Sequence, residues 1–221
     1  SRGESVEDTA KTLSRYTDCI MARVYEHEFL EKLSKYSTVP VINGLSDIFH
    51  PCQILADFMT IKEKKKKFKG LKIAWIGDGN NVCNSMMYGA ALSGVSMSIA
   101  TPKGFEPNKD VLKESKKSTD IELTTDPFTA TKNADVVVSD TFSSIHNRDQ
   151  KRIKKFFPKY QVTPKLMNSA NKDAIFMHCL PAKRNQEVTA SVIDGSQSVV
   201  WDEVENRLHV QKSLLTALIH D

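Results

Sequence analysis

Short apolar runs alternate along this chain with longer segments of mixed polarity. The runs have the length and composition of buried strands, whereas the longer segments carry apolar residues at helical spacing. Strands are predicted in CIMARV, VPVINGL, KIAWIG, SMSIATP, DVVVSD, AIFMHCL and SVVWDE. Because strands that alternate with helices are typical of βαβ units, the pattern predicts an α/β fold with parallel sheets flanked by helices.

Capping residues help to place the helices between these strands. Asp8 is expected to cap a first helix that runs to Tyr16, and residues 27–36 form an amphipathic helix. Pro51 begins a helix of about residues 50–68, because proline is tolerated in a first helical turn. Further helices are predicted over about residues 84–93, 108–117, 148–157, 164–170 and 206–220.

The 221-residue chain is long enough for one large domain or two small ones. Gly70 is the best candidate boundary, since a small α/β unit precedes it and a larger one follows it. Apolar residues make up 40% of the chain and charged residues 26%, and the net charge is +4, which is ordinary for a soluble globular protein. No apolar run approaches the roughly 20 residues that span a membrane.

The lysine-rich segment KEKKKKFKG is interpreted as a solvated helix end, where cations favour the negative pole of the helix dipole. Nucleic-acid binding is not expected, because aromatic residues do not interleave with the lysines. The four cysteines include no Cys-x-x-Cys pair, which argues against a disulfide framework or a structural zinc site and for a reducing compartment.

Polar or reactive residues directly follow several apolar strands. They are Arg23, the loop before His50, the segment GDGNN, Asp140 and the segment HCLP. In open α/β sheets, ligands bind beyond the carboxyl ends of the strands, so these positions predict a binding site. The helix that begins at Pro51 directs its free N–H groups at an anion, and His50 and Gln53 are expected to add side-chain donors there.

The segment IGDGNN also suggests a nicotinamide cofactor, but the signal is weak. Val82 stands where the third glycine of that fingerprint belongs, and the next strand ends in Thr101 and Pro102 without an acidic residue for a ribose. Asn80 and Asn81 instead offer uncharged amide groups that suit a small zwitterion. We therefore expect no dinucleotide site.

The motifs FHPCQ and HCLPA, with WIGDGNN and ATPKGFEP between them, closely resemble those of the ornithine carbamoyltransferases. INGLSD and DEVENRLHVQKSLL are also similar to that family, so the resemblance covers essentially the whole chain. It implies a partial carbamoyl-phosphate domain over residues 1–69 and an ornithine-binding domain over residues 70–221. The helix of about residues 50–68 would link the domains, and the last helix would pack back on the first.

The implied reaction converts carbamoyl phosphate and L-ornithine to L-citrulline and phosphate. By this resemblance, carbamoyl phosphate is held by Arg23, His50, Gln53 and Arg207, and we assign Arg23 and His50 to catalysis. The residue types agree with the chemistry, because attack on carbamoyl phosphate builds negative charge that fixed donors stabilise. Arginine suits phosphate because its planar fork bonds two oxygens at once.

On the amine side, the resemblance places Cys179 and Leu180 beside the carbamoyl group and the reacting amine. Asn81, Asp140 and Ser144 match positions that contact ornithine. We assign Cys179 and Asp140 to catalysis, where they grip and orient the amine. No covalent cysteine intermediate is expected, because orientation and electrostatics suffice for direct attack by the amine. The family also implies a cis Leu180–Pro181 bond.

The sequence departs from the family at two places. The Ser-Thr-Arg-Thr-Arg loop that grips phosphate in the family does not occur, so we expect this chain to lack the N-terminal phosphate-loop portion. After Asp140, the family pattern Asp-x-Trp-x-Ser-Met-Gly is replaced by DTFSSIHN, which puts Ile145 in place of methionine and His146 in place of glycine. This loop closes over ornithine in the family, and we count Ile145 among the substrate-binding residues.

Alternatives to this interpretation stay open. The altered loop motivates a carbamoyltransferase for another amine, such as putrescine or an acylated ornithine. The absent phosphate loop motivates a non-catalytic paralogue that binds an amino acid or a partner. The resemblance further implies a homotrimer without metal or organic cofactor. We expect a cytoplasmic protein, with the mitochondrial matrix as the alternative.

Overall fold

The computed structural model describes residues 3–142, 155 and 157–219. The described strands are β1 (Ile20–Arg23), β2 (Val41–Leu45), β3 (Lys72–Ile76), β4 (Ser96–Ala100), β5 (Ile121–Thr124), β6 (Val136–Ser139) and β7 (Ile175–Met177). The α-helices are α1 (Val6–Leu13), α2 (His27–Tyr36), α3 (Pro51–Lys65), α4 (Asn81–Ser93), α5 (Lys109–Ser115), α6 (Pro127–Thr131), α7 (Pro164–Met167), α8 (Ala190–Ile193) and α9 (Val200–Ile219). A 3₁₀ helix spans Phe157–Tyr160.

The strands form two parallel sheets. β1 and β2 pair in a two-stranded sheet, and the other five strands form a second sheet in the order β5-β4-β3-β6-β7. Helices connect the parallel strands, as parallel pairing requires. The predicted α/β fold with parallel sheets is therefore confirmed.

Strand β3 lies at the centre of the larger sheet and sends alternate side chains to its two faces. Ile73 and Trp75 pack on the face covered by α4, beside Met86. Ala74 and Ile76 pack on the opposite face in a separate apolar cluster. Both faces are buried, which explains why this strand is an uninterrupted apolar run rather than an alternating one.

Helix α9 packs along α3, and polar side chains fix the contact. The Asn206 amide donates to Thr60 Oγ1 at 2.9 Å and to Glu63 Oε2 at 2.7 Å. Closer to the start of α9, Lys64 pairs with Asp202 at 2.7 Å. This contact places α9 against α3, the helix that follows β2, and positions the site described below.

Several element boundaries were predicted wrongly. SVVWDE is not a strand: Ser198 forms only an isolated bridge to Phe176, and Val200 already begins α9, six residues before the predicted start. Ser5 rather than Asp8 caps α1, because its side-chain oxygen accepts from the Asp8 N–H. Strand β5 and helices α6 and α8 were not predicted, since they are too short for their periodicity to stand out.

Two other predicted helices also differ from the structure. Helix α4 begins at Asn81 instead of residue 84, because the Asn80 side chain accepts from the N–H groups of Val82 and Cys83 and so caps the helix. Helix α3 ends at Lys65, where Lys66 adopts a left-handed φ of 63°. The predicted helix over residues 148–157 lies mostly outside the described residues.

The first four residues of the lysine-rich segment, 62–65, form the last turn of α3, and residues 66–70 follow the helix. This placement agrees with the interpretation of the segment as a helix end. Lys65 pairs with Asp173 at 3.0 Å, and Lys62 lies over the Phe68 ring. Within the described residues, none of the helices combines the length and the apolarity that a membrane crossing demands.

The loop after β3 packs backbone against backbone at Gly79. A Cβ atom there would lie 2.3 Å from the Pro107 nitrogen and 2.6 Å from the Glu106 carbonyl carbon, so the loop itself would have to move. We predict that Gly79→Ala lowers the free energy of unfolding by about 1–3 kcal/mol, as overpacking does, measured by urea denaturation.

Gly44→Ala is the matched control for this prediction. A Cβ atom at Gly44 would lie 2.6 Å from the sulfur of Met21, whose exposed side chain turns away at little cost, and 3.2 Å from the Ala22 carbonyl oxygen, a contact that a shift of a few tenths of an ångström relieves. This variant should stay within about 0.5 kcal/mol of the wild type. Equal losses in the two variants would contradict the close-approach explanation.

Candidate active site

His50 occupies the position before the first turn of α3, and Pro51 follows it as the first helical residue. The backbone N–H of His50 donates to Ser85 Oγ at 2.8 Å, which ties the start of α3 to α4. The His50 side chain is buried, and its Nδ1 atom has no hydrogen-bond partner among the described residues. The helix start therefore holds a fixed imidazole with an unused polar atom.

Burial governs the charge of this imidazole. Removal from water, together with repulsion by the nearby Arg207 and Arg23, lowers the pKa of His50 from 6.5 to about 4. His50 is therefore neutral at pH 7, with one ring nitrogen as a donor and the other as an acceptor.

Gln53 is the third residue of α3, and its side-chain amide contacts two buried acidic residues. Its Nε2 donates to Asp57 Oδ1 at 2.8 Å and to Glu203 Oε1 at 3.0 Å, while its Oε1 accepts from the guanidinium of Arg207. The prediction that Gln53 adds side-chain donors at the helix start is therefore wrong. Both of its N–H groups are used by carboxyl groups, so the atom it offers is a carbonyl oxygen.

Two arginines lie close to this helix start. Arg23 ends β1 and is exposed, whereas Arg207 on α9 is half-buried. Together with Cys52, they line a cavity of about 310 Å³ between β1, α3 and α9. His50 and Gln53 do not line this cavity, but Arg207 donates to Gln53 and both arginines lie near enough to His50 to act on its charge. The four residues that the sequence predicts for one ligand are therefore neighbours, and two of them are positively charged.

Asp140 follows β6 and lies across the site at the carboxyl end of the larger sheet. The Asn80 amide donates to its Oδ2 at 2.6 Å, and the Cys179 thiol donates to its Oδ1 at 3.1 Å. Burial raises the pKa of Cys179 well above its ordinary value, and the nearby Asp140 raises it further. Cys179 is therefore a neutral thiol donor rather than a thiolate.

Asn81 and Leu180 are two further residues that the sequence predicts on the amine side. The Asn81 amide donates to the Ser46 carbonyl at 2.8 Å and so contacts the loop after β2. Leu180 has a φ of 54°, and the Leu180–Pro181 bond is cis as the sequence resemblance implied. The predicted substrate-binding residues Ser144 and Ile145 lie outside the described residues.

The residue before Cys179, the buried His178, is hydrogen-bonded to the backbone of Leu180. Its Nδ1 accepts from the Leu180 N–H at 2.9 Å, so the proton of the neutral ring is on Nε2, which lies 3.4 Å from Glu187 Oε1. Ligand-type atoms of Asp140, His178 and Cys179 lie within 4.8 Å of one another, a spacing that a metal ion could use. Here the Cys179 thiol donates to Asp140 and His178 Nδ1 accepts from the Leu180 N–H, whereas His178 Nε2 has no hydrogen-bond partner among the described residues.

Sequence reasoning did not identify Asp57, Glu203 or Asp78 as part of this site. Asp57 carried a usable signal, because it is the one acidic residue in the apolar run of α3. Glu203 reads as an ordinary acidic residue in a first helical turn. Burial raises the pKa of Asp78 to about 7, and neighbouring Asp140 contributes to this rise.

Two family models match the chain. The model for the Asp/Orn binding domain of aspartate/ornithine carbamoyltransferase matches residues 69–218, and the model for the carbamoyl-P binding domain of the same family matches residues 1–63. The chain belongs to the aspartate/ornithine carbamoyltransferase family.

Particular relatives narrow the comparison. The chain is 61% identical to the ornithine carbamoyltransferase of Cenarchaeum symbiosum, over 99% of this chain and 72% of the relative. It is 54% identical to the ornithine carbamoyltransferase of Methanocaldococcus jannaschii, over 96% of this chain and 72% of that relative. The solved structure of the Pyrococcus furiosus ornithine carbamoyltransferase is 49% identical and superposes with a TM-score of 0.94, covering 99% of this chain and 72% of that one.

The charge state of His50 predicts how stability depends on pH. The unfolded histidine binds a proton below pH 6.5, whereas the folded one does so only below about 4, so acid favours the unfolded chain. As the pH falls from 6.5 to 4, the wild type should lose about 3 kcal/mol that a His50→Gln variant keeps. Urea denaturation of both proteins across this range measures the difference, and parallel curves would show that His50 titrates normally.

Proposed function

We propose that this protein transfers the carbamoyl group from carbamoyl phosphate to the side-chain amine of L-ornithine, giving L-citrulline and phosphate. The observation that carries the proposal is the 61% identity to an ornithine carbamoyltransferase over nearly the whole chain. The site geometry supports it, because a cationic, donor-rich half faces a half that holds a carboxylate and a thiol.

The cationic half suits carbamoyl phosphate. Arg23 and Arg207 would bind the phosphate oxygens, and the neutral His50 would donate its ring N–H to the carbamoyl carbonyl oxygen. The free face of Gln53 Oε1 would accept from the carbamoyl amino group, which distinguishes a carbamoyl group from an acetyl group. These contacts stabilise the charge that develops on the carbonyl oxygen, at about 3–4 kcal/mol for one well-placed donor.

The other half suits the amine. Asp140 would attract the side-chain nitrogen of ornithine and orient it, beside the Cys179 thiol and the Leu180 carbonyl. Asn81 would contact the amino-acid end, and by the sequence resemblance Ser144 and Ile145 would also bind the substrate. Because Cys179 is a neutral thiol, it acts as a hydrogen-bonding group and not as a nucleophile.

The reaction is then a direct displacement. The neutral amine places its lone pair on the carbamoyl carbon, and the electron pair of the bond between that carbon and the bridging oxygen leaves with phosphate. The amine loses one proton to the departing phosphate or to solvent. Fixing both reactants at the junction of the two halves supplies much of the rate, because orientation converts a bimolecular step into a unimolecular one.

The organisation of the protein belongs to the same proposal. We place the domain boundary at Gly70, close to the start of the second family match at residue 69, with residues 1–69 as the carbamoyl-phosphate domain and residues 70–221 as the ornithine-binding domain. We further propose a homotrimer in the cytoplasm.

Formation of citrulline from carbamoyl phosphate and L-ornithine tests the proposal. The assay compares this chain with a version that carries any sequence encoded upstream, because residues 1–221 contain no Ser-Thr-Arg-Thr-Arg loop. Putrescine and acylated ornithine serve as competing amines. Citrulline is the expected product, and carbamoylation of another amine in preference to ornithine would contradict the proposed acceptor.

His50→Ala isolates the contribution of the imidazole to turnover. Loss of one donor to the developing oxyanion should lower kcat by about 10²–10³-fold. Ser85→Ala is the matched control, because it removes the hydrogen bond to the His50 backbone but keeps the ring, and its kcat should stay within about tenfold of the wild type. If the folded fraction of His50→Ala turned over as fast as the wild type, the loss of activity would come from unfolding alone. His50 would then be only a structural cap.

A further inference from the structure

Two buried carboxyl groups lie behind the site, where α3 and α9 meet. Asp57 is one turn after Gln53 on α3, and Glu203 is in the first turn of α9. Each is only 1% exposed. Both are therefore shielded from solvent, and each reaches the site through the Gln53 amide that it accepts from.

The hydrogen bonds around these carboxyls are specific. Glu203 uses both oxygens, since Oε1 accepts from Gln53 Nε2 at 3.0 Å and Oε2 accepts from the His178 N–H at 2.9 Å. Asp57 Oδ1 accepts the other N–H of Gln53. Both carboxyl groups therefore lie within 3.0 Å of the same Gln53 nitrogen, and two negative charges held so close together favour one proton between them.

The surroundings favour this single proton. The charged and titratable groups that act on the pair are Arg207, Asp140 and the Cys179 thiol. One positive charge beside two carboxylates and Asp140 leaves an excess of negative charge in a buried place, which is costly. Accordingly, burial raises the pKa of Glu203 well above its ordinary value and that of Asp57 to about 7.

We propose that Asp57 and Glu203 share one proton and act as positioning residues that connect the two halves of the site. By accepting both N–H groups of Gln53, the pair turns its carbonyl oxygen toward Arg207. Through the His178 N–H, Glu203 also fixes the residue that precedes Cys179. The spacing between the phosphate-binding groups and the thiol thus depends on one protonated carboxyl pair. Its effect on turnover rests on the proposed function, whereas the shared proton does not.

The two members of the pair should respond differently to amide substitution. In Asp57→Asn, the new oxygen still accepts from Gln53 and the new N–H₂ donates to Glu203, so every hydrogen bond survives. In Glu203→Gln, one oxygen becomes an N–H₂ group that faces the N–H of Gln53 or of His178. One conservative variant therefore preserves the network, and the other places two donors against each other.

Kinetics with carbamoyl phosphate and ornithine test the positioning role. We expect kcat/KM for carbamoyl phosphate to stay within about threefold of the wild type in Asp57→Asn. It should fall at least tenfold in Glu203→Gln and in Asp57→Leu, assayed at a temperature where thermal unfolding shows each variant folded. Full activity in folded Asp57→Leu, or equal effects of the two amide variants, would overturn the proposal.

Two measurements on the same proteins do not involve turnover. An infrared difference spectrum at pH 8, wild type minus Asp57→Asn, should contain the C=O band of a protonated carboxylic acid; Asp78 is common to both and cancels. The ¹⁵N resonance of the His178 amide should move further in Glu203→Gln, which replaces its acceptor group, than in Asp57→Asn, which only changes the charge of Glu203. Absence of the band, or an unmoved His178 resonance in Glu203→Gln, would overturn the inference. If both appear while the wild type forms no citrulline, the proposed function fails and the shared proton stands.

Discussion

The site depends on the contact between α3 and α9, and within that contact on one buried glutamine. Both N–H groups of the Gln53 amide donate to acidic residues, and its oxygen accepts from Arg207. Only one orientation of the amide therefore satisfies all of these hydrogen bonds. Because α9 supplies both Glu203 and Arg207, the last helix of the chain completes a site that begins at the first turn of α3. Removal of any one partner would leave a buried donor or acceptor unpaired, which costs about 1–3 kcal/mol.

Burial also sets the protonation of the reactive groups. His50 is neutral, Cys179 is a thiol, and two carboxyls hold one proton between them, because in each case a buried place disfavours an additional charge. The permanent positive charges belong to two arginines, the exposed Arg23 and the half-buried Arg207. In the proposed function, such a site would offer phosphate two cations and would offer the carbamoyl group uncharged donors and acceptors.

Much of the fold could be predicted from the sequence because its signals are local. Apolar runs located the central strands, and Pro51 located the start of α3. The SVVWDE segment was predicted wrongly because Val199 and Val200 look like strand residues, whereas the packing of Val200 in the core and of α9 along α3 decides for a helix. Such tertiary contacts override local propensity.

For the site, the sequence could predict which residues lie near one another but not which groups donate and which accept. Motif resemblance brought Arg23, His50, Gln53 and Arg207 to one place, and the structure agrees with that grouping. Whether Gln53 donates or accepts depends on Glu203, which is remote in sequence, so no local pattern could decide it. The same holds for Asp57, whose partner is visible only when α9 is in place.

The most direct test of this site is a crystal structure of the chain with carbamoyl phosphate and an ornithine analogue that lacks the reacting amine. The carbamoyl group should lie within hydrogen-bond distance of His50 and of Gln53 Oε1, with phosphate on Arg23 and Arg207 and the analogue between Asn81 and Asp140. Ligands bound elsewhere, or a Gln53 amide turned away from Arg207, would contradict the assignment.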